Sequence, residues 1–143
     1  MTQSKDDPYD LQRFVDAQRP VYERVLGELA AGCKSSHWMW FVFPQIAGLG
    51  SSAMAQRYAL ATRDEAAVYL DHPLLGPRLR QCTRLVTGIE GRSIHQIFGS
   101  PDDMKFRSSM TLFARAAGDN ADFLAALNKY FDGALDPATL VRL

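Results

Sequence analysis

The chain has 143 residues, which suggests one domain able to bury roughly two-thirds of its unfolded surface without staples. Hydrophobic residues make up 47% and charged residues 22%, an ordinary globular balance. Lys plus Arg is 16 and Asp plus Glu is 16, so the strong positive field that non-specific nucleic-acid binding needs is missing, and no nucleic-acid partner is expected.

The N-terminus, MTQSKDDPYD, is polar and carries no apolar stretch that could serve as a signal peptide, so residues 1–7 are expected to form a flexible tail. The longest apolar run, Trp38 to Phe43, is far too short to cross a bilayer. A soluble, cytoplasmic protein with no membrane partner is the expectation. Cys33 and Cys82 match neither a metal-ligand spacing nor a Cys-x-x-Cys motif, and both read as reduced core thiols.

Along the chain the dominant signal is helix. Leu11, Phe14 and Val15 mark a first short helix, which Pro20 separates from a second over 20–31. In that second helix Tyr22, Val25, Leu26 and Leu29 share one face, while Glu23, Arg24 and Glu28 fall on the other. Helices follow over 62–70 and 77–89, the latter turning Leu79, Cys82, Leu85, Val86 and Ile89 inward. Residues 93–98 read as a single turn, 101–117 as the longest helix, and 120–131 and 137–141 as the last two. The punctuation agrees. Asp7-Pro8, Ser100-Pro101 and Asp136-Pro137 each place a capping side chain before a proline at the first helical position. Thr62 to Glu65 reads as a capping box, and Gly32, Gly99, Gly118 and Gly133 stand where helices should stop. With no strand pairs, hairpin turn, repeat or linker, the prediction is all-α. It is a single compact multi-helix domain, 1–143, of about six to eight short helices, sequential helices being neighbours.

One segment breaks the rhythm: KSSHWMWFVFPQIAGLG, 34–50. Its centre, 38–43, is apolar at every position, so neither a strand nor a helix period shows, and Pro44 marks its end. Core packing explains the middle of the run. But His37, Trp38 and Trp40 carry ring N–H groups that need partners when buried, and aromatic walls beside a few polar groups are what small-molecule pockets look like. Lys34, Ser36 and Gln45 flank the run. The following GLGSS loop enters a helix and offers free backbone N–H groups, although it matches neither a P-loop nor a dinucleotide fingerprint.

A possible second wall is the helix over 101–117. Phe106, Met110, Phe113 and Ala117 form its core stripe. Asp102, Lys105, Ser108 and Ser109 gather on a neighbouring face that turns apolar at Leu112 and Ala116. That face is either solvated, with an Asp102–Lys105 pair, or the far side of a ligand site. Among the histidines His37 is the best candidate for acid–base work; His72 precedes Pro73 as a capping or surface residue, and His95 lies in a short helix. The three are not at metal-ligand spacing, so no metal and no cofactor is expected. Arg80 and Arg84 share a face that is either solvated or a phosphate-contacting strip.

DPYDLQRFVDAQ, KSSHWMWFVFPQIAGLG, AAVYLDHPLLGPRL and FGSPDDMKFRSSMTLF occur together and in that order. This arrangement resembles the bacterial family catalogued as domain of unknown function 1810, whose members are often labelled calpastatin, over nearly the whole chain from about Asp7 to Leu140. The resemblance implies a mainly α-helical protein without an established function. It also implies an uninterrupted first helix, from which Pro20 departs. The calpastatin label implies a protease inhibitor, but calpastatin inhibitory regions are disordered and polar, and this chain is 47% hydrophobic.

The functional reading is a small-ligand site between 34–52 and the polar face of 101–117. Its ligand-binding residues would be Lys34, Ser36, His37, Trp38, Trp40, Gln45, Lys105, Ser108 and Ser109, and a nucleotide or other phosphate-bearing metabolite would suit them. The alternative is a non-catalytic protein-interaction module in which the Trp-rich segment is core.

Overall fold

A computed structural model describes residues 7–143. Ten helices follow one another in the described chain: α1 (Gln12–Gln18), α2 (Tyr22–Ala30), α3 (Met39–Val42), α4 (Ala53–Arg57), α5 (Arg63–Asp71), α6 (Leu75–Thr87), α7 (Ile94–Phe98), α8 (Asp102–Ala116), α9 (Ala121–Phe131) and α10 (Pro137–Leu140). No strand forms among the described residues; one isolated bridge joins Ile46 to Leu60. The all-α expectation stands, with more and shorter helices than the six to eight expected. The additions, α3 and α4, fall where the apolar run and the Gly-Ser loop hide any period. The expected tail, 1–7, lies outside the described residues except for Asp7, whose carboxylate accepts the Leu11 and Gln12 N–H groups at 2.7 and 3.0 Å.

α8 is the central helix, packed by α5, α7, α9 and α10. Phe106 and every residue from Ser108 to Ala114 are buried, so the polar face predicted for this helix is enclosed over most of its length. Neighbourhood in sequence is only part of the plan: α1 packs on α3, and α6 packs on both α2 and α9. Arg80 and Arg84 belong to that last junction, not to a free basic strip. Both reach Asp122 at the start of α9, Arg84 with Nε 3.1 Å from each carboxylate oxygen, and Arg80 also donates to the Asp119 carbonyl.

Several helix ends are closed by side chains. Thr62 accepts the Glu65 N–H at 3.1 Å, while the Glu65 carboxylate turns back to Ala61, one residue before the capping-box position. Ser93 and Gln96 form a complete capping box. His72 caps α6, its Nδ1 accepting from Leu74 and Leu75. Ser100-Pro101 departs from expectation: the peptide is cis, and α8 begins at Asp102 with no side-chain cap. Pro137 does open α10, at its first turn. Cys82 is buried and its thiol is pushed up to about 11, chiefly by burial, whereas Cys33 is exposed, so only one of the two is a core thiol.

Candidate functional site

The aromatic run divides between the core and a cleft. One turn of α3 aims successive side chains in different directions. Trp38 and Phe43 enter a cluster with Phe98 and Phe106, ring centroids 5.1–6.4 Å apart, while Phe41 joins Tyr58 and Phe14 on the other side. Gln18, 2% exposed, fixes the turn from behind by donating to the Phe41 carbonyl at 2.7 Å. Trp40 is left half-buried with its ring toward α8, where the Lys105 ammonium lies 5.5 Å from its centroid.

The segment leading into this turn hangs on Glu28. That carboxylate accepts the Ser35 and Ser36 N–H groups, the Ser36 hydroxyl at 2.6 Å and the Trp38 indole N–H at 2.9 Å. Burial alone would raise its pKa. The hydrogen bonds from Ser36, Ser35 and Trp38 outweigh it and hold the group at about 2. Ser36 and Trp38, both expected to touch ligand, thus bind Glu28 instead, and Trp38 is 1% exposed. Glu28 itself reads from the sequence as part of a solvated face. Only the fold brings it under the loop.

Lys34 follows from the same anchoring. Its N–H donates to the Ile97 carbonyl at 2.8 Å, and its ammonium, nearly buried, lies 2.8 Å from Asp102 and 5.3 Å from the Trp38 ring centroid. Lys105 approaches the other oxygen of Asp102 at 3.6 Å. Beside this trio is a cavity of about 260 Å³ lined by Lys34, His37, Met39, Trp40, Pro101 and Asp102. His37 stands exposed at its rim, without a side-chain hydrogen bond to the other described residues. A second cavity of about 280 Å³ shares Pro101 in its wall and is otherwise lined by Gln45, Lys105, Ser108 and Asp136 among others. Ser108 donates to Asp136 at 2.8 Å, Thr139 does so at 2.6 Å, and Thr111 receives the Asp136 N–H, which pins the start of α10 to α8.

The predicted site residues therefore separate into two sets. Lys34, His37, Trp40, Gln45, Lys105 and Ser108 line the paired cavities. Ser36, Trp38 and Ser109 do not. Ser109 is fully buried and its hydroxyl has no hydrogen-bond partner, so Ser109→Ala is expected to leave ligand binding intact and to change stability between zero and about +1 kcal/mol, measured by urea unfolding. The GLGSS loop contributes Leu49 and Gly50 to the wall, but its predicted free N–H end is closed by Ser52, which accepts the Ala55 N–H at 3.1 Å. Asp136 lines the second cavity although the sequence marks it only as an Asp-Pro cap, which ordinarily means capping alone. Asp102, marked there as the partner of Lys105, gains its contact with Lys34 only from the fold. Among the described residues no group of three His, Cys, Asp or Glu is placed to hold a metal, and no helix is long and apolar enough to cross a membrane.

The family model for proteins of unknown function numbered DUF1810 matches residues 8–143. The chain belongs to this family. Among solved structures it is similar to the conserved hypothetical protein Rv1873 from Mycobacterium tuberculosis, with 59% identity over 96% of this chain and 98% of that one, and a TM-score of 0.95. No curated protein matches. Membership of DUF1810 and this structural likeness carry the helical fold and bring no reaction with them.

Proposed function

We propose that the paired cavities between 34–52 and α8 bind a small molecule with an anionic group, of the class of phosphate-bearing metabolites or nucleotides. The observation that carries this reading is the sharing of one carboxylate by two ammonium groups: Lys34 and Lys105 both face Asp102, beside the half-buried ring of Trp40. Asp102 is shared by both ammonium groups and Asp136 stands in the wall beside Lys105, so the cleft is not net positive. An anion placed between Lys34 and Lys105 gains from two nearby ammonium groups, and gains more in a partly desolvated cleft than it would in water. Trp40 offers a flat apolar wall to the body of the ligand, and Gln45 an amide for orientation. If the bound molecule reacts, His37 at the rim is the group that can move a proton.

A thermal-shift panel of nucleotides and phosphorylated metabolites tests the reading. A ligand present at about 100 times its Kd adds about 2.7 kcal/mol, a shift of several degrees for a domain of this size. Lys105→Ala should then weaken binding about tenfold or more while costing less than about 1 kcal/mol of stability, because its ion pair is long and partly exposed. A panel that moves nothing, or binding indifferent to Lys105, sinks the idea.

A further inference from the structure

Asp102 meets the two ammonium groups as the anionic group of a ligand would. Lys34 Nζ lies 2.8 Å from Oδ2 and Lys105 Nζ 3.6 Å from Oδ1, so each carboxylate oxygen takes one ammonium. The carboxylate stands in the wall of the first cavity, with Trp40. An anion that touches both ammonium groups therefore comes close to Asp102, and the two like charges repel, more strongly in a partly desolvated cleft than in water. Neither lysine depends on Asp102 alone for its place. The Lys34 main chain is tied to the Ile97 carbonyl and its ammonium lies over the Trp38 ring, while the Lys105 ammonium lies over the Trp40 ring. Asp136, in the wall of the second cavity, is engaged by Ser108 and Thr139, and among the described residues no salt bridge joins it to either lysine.

We infer that Asp102 is a built-in competitor for the anion site: its carboxylate engages Lys34 and Lys105 until the anionic group of a ligand takes its place. This rests on the anionic-ligand reading and adds the regulation of that site. The two contacts are unequal. The one to Lys34 is short and nearly buried, whereas the one to Lys105 is long and more open, so Lys105 is the ammonium that turns first to a ligand. Asp102 is thus the repulsive element of the site, and it screens out anions whose contacts with the rest of the cleft are poor.

Calorimetric titration with inorganic phosphate and adenosine 5′-monophosphate tests it, in the parent and in Asp102→Asn, which keeps the shape of the side chain and removes its charge. The amide variant should bind at least one of the two probes about tenfold or more tightly than the parent. Asp102→Ser serves if the amide variant does not fold. Asp103→Asn is the control. That neighbour in the first turn of α8 pairs with His95 at 3.2 Å and lines neither cavity, so the affinity of its variant should stay within about twofold of the parent. A parent that binds as tightly as Asp102→Asn, or more tightly, overturns the competitor while leaving the anion site standing, because the carboxylate would then serve to position the lysines. An equal gain in Asp103→Asn also overturns it, since loss of any negative charge at the helix start would do the same. Failure of the parent and of the Asp102 variants to bind either probe at millimolar concentration overturns both readings.

Discussion

Gly76→Ala is expected to cost about 3–5 kcal/mol and to lower the melting temperature by about 10–20 °C. Gly76 lies in the first turn of α6, directly against the last turn of α5. A Cβ built there would stand 2.0 Å from the Leu70 carbonyl oxygen and 2.9 Å from its carbon. Those are backbone atoms, and no rotamer change relieves the clash. The whole α5–α6 junction would have to open, and both helices are packed against other elements, α5 on α8 and α6 on α9. Gly27 supplies the control. It lies in the middle of α2, is exposed, and has nothing within 4 Å of a built Cβ. Gly27→Ala should therefore stabilise by about 0.5–1 kcal/mol through helix propensity. Urea unfolding of the two variants gives changes of opposite sign. A Gly76→Ala melting temperature within about 3 °C of the parent would show that the junction is not held rigid.

The second large effect is expected at Glu28. Glu28→Ala removes one acceptor from two backbone N–H groups, a hydroxyl and the indole N–H of a buried Trp38. A loss of about 2–4 kcal/mol follows, since hydrogen bonds to a charged acceptor are strong and the indole, 1% exposed as a residue, has little access to water as a substitute. Tryptophan emission should shift as 34–38 loosens, and affinity for any cleft ligand should fall with the displacement of Lys34. The parent protein should show the same contact as a pH dependence. The folded-state pKa of Glu28 is about 2 against an ordinary 4.5, because the hydrogen bonds to the carboxylate outweigh the opposing effect of burial. A depressed carboxylate stabilises the fold fully above pH 4.5 and loses that contribution as pH falls toward 2. Solvent screening at this half-exposed position keeps the contribution to about 1–2 kcal/mol. In Glu28→Ala the acid limb of the stability–pH curve should be correspondingly shallower. An unchanged limb would mean that other carboxylates carry the acid sensitivity.

The periodic parts of the chain are legible from residue spacing alone. Val25 and Leu29 are buried on the predicted face of α2, as are Leu79, Cys82 and Val86 in α6 and Phe106, Met110 and Phe113 in α8. A 3.6-residue period is a local property, and each helix states its own buried face. The Thr62 cap and the stop at Gly32, φ +78°, are equally local. The cleft is half legible. Lys34, His37 and Trp40 stand out as polar and aromatic residues clustered in sequence, and Lys105 as a cation on a mixed face. The Asp102–Lys105 pair is local, one turn apart in α8, but its meeting with Lys34, His37 and Trp40 depends on where α8 packs, which no local pattern encodes.

What the sequence by itself determined was the helical class, most helix boundaries and the unusual character of 34–50. Only the tertiary structure decided which way each member of that segment points. Trp38 and Phe43 go to the core and Trp40 to the cleft, because a uniformly apolar run carries no phase to choose one face. The same holds for the polar groups. Glu28 reads as solvated and is the anchor of a loop, while Ser109 reads as available and is buried. An isolated polar residue declares its chemistry but not its partner. Partners separated by 10 or 28 positions, as Glu28 is from Trp38 and Ser108 from Asp136, meet only once the helices pack.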